Sequence, residues 1–177
     1  MRWTLICIAA LAAPALAEGE DGGTLNPEEM TIGRILEDVG KGITSMTNCA
    51  AGYYITKAGR HVEARKIFER CADDGYTGAM IWMSQLDDNG LGAVENPDAA
   101  ADWDQRAAEA GDPVGKFNHG LDLMRGRGRV QDVEAGRRLV DEAAAAGLPT
   151  AQRLQAAGYD LDEVTPDADN WKYAPRF

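Results

Sequence analysis

Apolar residues recur along this chain at helical spacing, and glycines cut the segments that carry them at regular intervals. Ile32, Ile35, Leu36 and Val39 form one stripe. Ahead of it, Asn26 stands in a capping position, Pro27 at the first helical position, and Glu28 and Glu29 at the positive end of the dipole. Gly40-Lys41-Gly42 closes this capping segment, taken as 26–42. Helices are then predicted over 43–57 and 62–73 with a turn at Gly59-Arg60, and over 78–88 and 97–110 through Asn89-Gly90-Leu91-Gly92. A third pair runs over 114–125 and 133–146 through Gly126-Arg127-Gly128, and a shortened helix over 149–157 stops at Gly158. Asn96-Pro97 repeats the capping signature. No segment alternates apolar and polar residues for long enough to make a strand, so the class is all-α.

These segments are versions of one another. Gly147 falls one period after Gly111 and two after Gly75; Ala144 falls likewise after Ala108 and Ala72, and Ala143 after Ala107 and Cys71. Gly126 and Gly128 follow Gly90 and Gly92 in the same way, and Leu139 follows Trp103 and Ile67. A fixed period of this length predicts a stacked array in which each helix pair buries its apolar face only against its neighbours. Such arrays present surface to other proteins more often than they perform chemistry.

Two stretches resemble a known repeat. Phe117-Asn118-His119-Gly120-Leu121-Asp122-Leu123-Met124-Arg125-Gly126-Arg127-Gly128, followed by Asp132, is similar to the first half of a Sel-1-like repeat, a tetratricopeptide-like unit. Ala100-Ala101-Asp102-Trp103-Asp104-Gln105-Arg106-Ala107-Ala108-Glu109-Ala110-Gly111 is similar to its second half. The chain departs from the pattern at His119, where Leu is usual, at Leu123, where Tyr is usual, and at Asp104, where an aromatic is common. The resemblance implies a right-handed α-solenoid of antiparallel helix pairs over 43–158. It also implies that the first helix of each pair lines a concave groove. Trp82, Gln85, Asn118 and Leu121 would then face a protein partner, with Tyr53 and Tyr54 extending that surface, whereas Trp103 would sit in the core.

Residues 1–17 read as a secretory signal peptide: Arg2 near the start, an apolar run from Leu5 to Leu11, and the small-residue pattern Ala15-Leu16-Ala17. The run is shorter than the roughly 20 residues that span a bilayer. Residues 18–25 are acidic, glycine-rich and aperiodic, as in a flexible linker. The formal net charge of −11 argues against nucleic acid and anionic lipid as partners and leaves a basic exported protein as one candidate. Residues 159–177 form a tail carrying Trp171, Tyr173 and Phe177, which either packs back as a cap or anchors a partner.

Cys49 and Cys71 survive cleavage, and an even count in an exported chain favours a disulfide. In a hairpin turning at Gly59-Arg60, facing residues have numbers totalling about 120, a condition this pair meets; the alternative is two separately buried thiols. His61 and His119 lie in no metal-binding spacing, Ser45 and Ser84 in no G-x-S-x-G context, and adjacent carboxylates such as Asp73-Asp74 and Asp87-Asp88 point apart on a helix. The arginines at 125, 127, 129, 137 and 138 either neutralise neighbouring acids or dock an acidic segment. No catalytic residue, metal or cofactor is assigned. The expectation is a monomeric periplasmic adaptor, an accessory or assembly subunit of a periplasm-facing membrane or respiratory complex. The alternative implied by the resemblance is an exported hydrolase of the penicillin-binding or β-lactamase-like kind, linked to some disulfide-rich relatives.

Overall fold

Residues 31–164 are described by the computed structural model. They form α1 (Ile32–Gly40), α2 (Met46–Lys57), α3 (His61–Asp73), α4 (Thr77–Asp88), α5 (Pro97–Glu109), α6 (Pro113–Arg125), α7 (Val133–Ala145) and α8 (Pro149–Ala156), then a 3₁₀ turn over Leu161–Glu163. Each helix packs on its neighbours in the chain, α1 lies on both α2 and α3, and α4 touches α6 across the unit boundary. The result is an all-helical solenoid, as the 36-residue period predicts.

Helix starts are set by side chains that take up free backbone N–H groups. Asn96 accepts from Ala99 N at 3.1 Å, Asp132 from Ala135 N at 2.9 Å, and Asp112 from Val114 N at 2.8 Å. The same logic sets the start of α1 and corrects one expected boundary. Thr31 is extended at φ −70°, ψ 146° and caps Arg34 at the start of α1; the capping signals expected at Asn26 and Pro27 lie outside the described residues. Ser45, at φ −67°, ψ 158°, caps Asn48 and delays α2 to Met46 rather than Ile43.

Helix ends explain the repeated glycine. Gly75, Gly111 and Gly147 adopt φ of 91°, 88° and 93°, a left-handed geometry that glycine reaches without a Cβ penalty. Gly128, at φ 61°, is further constrained, because a Cβ there would overlap the Pro97 carbonyl at the start of α5. The Gly126-Arg127-Gly128 loop therefore seats directly on the preceding unit.

The apolar interior falls into two clusters. One gathers α1 to α4 around Ile67, Phe68 and Leu86; the other gathers α6 to α8 around Val140, Leu154 and Val164. Between them lie buried polar side chains, among them Ser84, Asp87 and Asp104.

Candidate functional site: an aromatic groove beside a buried acidic seam

A groove of about 560 Å³ opens over α2, α3 and α4. At Gly52 a Cβ would come within 2.5 Å of the Phe68 ring, so glycine lets that ring, which lines the groove, seat against α2. Phe68 stacks on Trp82, with centroids 5.8 Å apart and planes 7° from parallel. Tyr53 tilts onto Trp82 at 5.4 Å and meets Tyr54 edge-on at 5.3 Å. Tyr54 and Met46 stay 71% and 72% exposed. At the other end, Thr77 donates to Asp112 at 2.6 Å, and Asp112 is the one carboxylate lining the groove among the described residues.

Cys49 lines this groove and is bonded to Cys71, with Cα atoms 5.9 Å apart. The bridge predicted from the hairpin register is present, and it fixes the α2 wall to α3.

The structure thus brings together Tyr53, Tyr54 and Trp82. Gln85 is half-buried and does not line the groove. Asn118 turns inward, its amide donating to Asp104 at 3.0 Å. Leu121 is a correction: it is 5% exposed and packs in the second cluster with Phe117, Met124 and Val140, on the face that α6 turns to α7. Trp171, Tyr173 and Phe177, like the signal-peptide segment, lie outside the described residues. Met46, Tyr76, Thr77 and Asp112 were not anticipated. Their shared sequence signal is position, since all four stand at or just before a helix start.

The seam between the clusters is electrostatically unusual. Asp104, 4% exposed, accepts from the Ser84 hydroxyl at 2.6 Å as well as from Asn118. Burial pushes its pKa up to about 6, against the lowering effect of those two hydrogen bonds. Asp122 is pushed further, to about 8, by burial first and then by the charges of Asp104 and Asp88, with Arg127 and Arg129 opposing. Its Oδ2 is buried without a hydrogen-bond partner among the described residues. Burial also lowers the His119 pKa. Asp87 is paired instead: Arg65 reaches it at 2.5 Å and the Trp103 indole donates to it at 3.1 Å. Trp103 is thus half-buried with a polar anchor, and Arg106 lies 4.3 Å over its ring.

Four arginines of the basic cluster are engaged within the fold. Arg127 meets Asp88 at 3.1 Å, Arg129 bonds Asp102 and Gln105, and Arg125 donates to the Val164 carbonyl at 2.6 Å. Arg137 lies 4.9 Å over the Tyr159 ring. His61 packs beneath Gly92, where a Cβ would come within 2.8 Å of the His61 backbone. Among the described residues, no cluster of three His, Cys, Asp or Glu side chains could hold a metal ion. No described helix is long and apolar enough to cross a membrane.

No family model matches the chain, and no curated protein matches it either. Solved structures do. A Sel1 repeat protein from Oxalobacter formigenes is 23% identical with a TM-score of 0.59, over 69% of this chain and 95% of its own. This is the Sel1-like repeat fold. Cysteine rich protein B of Helicobacter pylori aligns over 71% of this chain and 98% of its own, at 14% identity and a TM-score of 0.56. A protective antigen of uropathogenic Escherichia coli displaying an SLR fold is 25% identical, with a TM-score of 0.51 over 56% of this chain. The matched part of this chain spans 22% of that antigen's length.

Proposed function

We propose that this Sel1-like protein is an exported, periplasmic adaptor that captures an apolar segment of a partner protein in the Tyr53–Tyr54–Trp82 groove. Service as an accessory or assembly subunit of a periplasm-facing membrane or respiratory complex is the specific form of that role. One observation carries the reading: an aromatic floor, already packed by Phe68 and Trp82, stands beside Tyr54 and Met46 with most of their surface exposed. Rigid aromatic rings supply large contact area at low entropic cost, which is what a binding hot spot requires. The disulfide supports the address, since such bonds persist outside reducing compartments.

The serine-hydrolase alternative finds no support in the two serines. Ser84 is fully buried with its hydroxyl committed to Asp104, and Ser45 caps α2.

Capture of partners from detergent-solubilised membranes tests the adaptor reading. Tyr54→Ser should reduce recovery of a stoichiometric partner while the circular dichroism of the protein stays unchanged. Equal recovery by wild type and Tyr54→Ser would remove the groove from the binding surface.

A further inference from the structure

We propose that in the free protein the groove is covered in cis by the chain's own segment Trp171–Phe177, which a partner must displace. This inference rests on the groove reading above and adds its first occupant.

Chemistry is the first argument. The segment Trp171-Lys172-Tyr173-Ala174-Pro175-Arg176-Phe177 carries three aromatic rings and two cations without an acid, in a chain of net charge −11. The groove offers the complement: stacked rings at Phe68 and Trp82, an exposed tyrosine edge at Tyr54, and the Asp112 carboxylate at one end. Rings of the segment stack on Trp82 and Tyr54, and Lys172 or Arg176 meets Asp112 or an aromatic face. Lys57, 5.6 Å from the Tyr53 centroid, marks the opposite end, so a cationic segment has one favoured direction along the groove.

Reach is the second argument. Val164 is buried against α6, and Arg125 at the end of α6 holds its carbonyl at 2.6 Å. The chain therefore leaves the described fold beside α6, which, like α2 and α4, is the first helix of its pair. From α6 to α2 is two helix spacings of about 10 Å each, and running the length of α6 adds about 20 Å, for a direct path near 30 Å. The thirteen residues after Val164 extend to about 44 Å. Tyr173 and Phe177 thus reach the groove without any rearrangement of the helices.

A short tether gives an effective concentration on the order of 1 mM, so a segment of ~100 μM intrinsic affinity covers the groove about nine-tenths of the time and weakens an outside copy about tenfold. The test titrates a fluorescein-labelled peptide of residues 167–177 into the full chain and into the full chain carrying Trp171→Ala, Tyr173→Ala and Phe177→Ala. The peptide should bind the triple variant about tenfold more tightly, and Tyr54→Ser in that background should abolish the gain. A second variant, Lys172→Glu with Arg176→Glu, should release the groove similarly and keeps the aromatic residues intact. Hydroxyl-radical footprinting should find Tyr54 and Met46 protected in wild type and labelled severalfold faster in both variants. Equal peptide affinity for wild type and triple variant, with binding still lost in Tyr54→Ser, overturns the in-cis cover and leaves the adaptor reading standing. Sedimentation showing a wild-type dimer that the triple variant disperses would place the segment in a second copy and overturn the in-cis docking. Partner capture that ignores Tyr54→Ser instead defeats the adaptor reading itself.

Discussion

The first and third helix pairs solve the same packing problem by different means. In the third, α6 and α7 cross at Gly120 and Gly136, where a Cβ on Gly136 would come within 2.5 Å of the Gly120 carbonyl, and Ala143 is fully buried at the interface. In the first, α2 and α3 turn directly at Gly59, with no Gly-x-Gly loop, and Cys71 occupies the position of Ala143. Its bond to Cys49 supplies by covalent constraint what the third pair obtains from close backbone approach. A small residue facing the partner helix is the shared requirement. Whether it carries a methyl or a thiol decides how much the rest of the pair must contribute.

Removing the staple should have the largest effect. Cys49→Ala with Cys71→Ala releases a loop closed across 22 residues, a loss of about 3 kcal/mol in the chain-entropy model. Denaturant unfolding should report that loss, and hydrogen exchange should localise it to α2 and α3. Uniform loss of protection through α7 would show that the two pairs do not differ as argued. Gly136→Val attacks the other solution: the added side chain meets the Gly120 carbonyl and Met124, and a cost of about 2–3 kcal/mol is expected. A melting temperature within a degree of wild type would mean that α6 and α7 separate freely.

The seam beside the third pair predicts a pH response of the opposite sign to ordinary acid denaturation. Asp122 and Asp104 hold protons in the fold, with pKa values near 8 and 6, that the unfolded chain releases near pH 4. Between those limits the native state binds more protons, so stability falls as pH rises from about 4 through 8. Because the two carboxyls interact, the decline belongs to the pair rather than to either residue. Asp122→Asn should flatten this slope and raise the melting temperature at pH 8.5. An unchanged pH profile would show that Asp122 is charged in the fold. The smallest effect is expected at the end of the stack, where Arg125→Ala removes the hydrogen bond to Val164, at about 1 kcal/mol. Faster exchange confined to α8 and the 3₁₀ turn would confirm its local role.

The helices and their stacking were legible in the chain, because a 36-residue period and repeated glycines report backbone geometry directly. So was the Cys49–Cys71 bridge, since hairpin register follows from one turn. Side-chain destination was less legible. Leu121 and Asn118 share α6 and both were expected to face a partner, yet one enters the core and the other bonds Asp104. The acidic seam left a trace that could have been followed: Asp104 and His119 both stand where the repeat usually places an apolar residue. Two polar substitutions at core positions of adjacent helices imply a polar interior between them.

The bridge does more than hold a hairpin, because Cys49 is itself a wall of the groove. For the exported adaptor proposed above, synthesis in a thiol-rich interior would yield a stack whose later units can assemble while its first pair lacks its clamp. Only after crossing to an oxidising side would the aromatic floor acquire a fixed wall. Competence to bind would then be timed by arrival, and molecules still in transit would be poor competitors for the same partner.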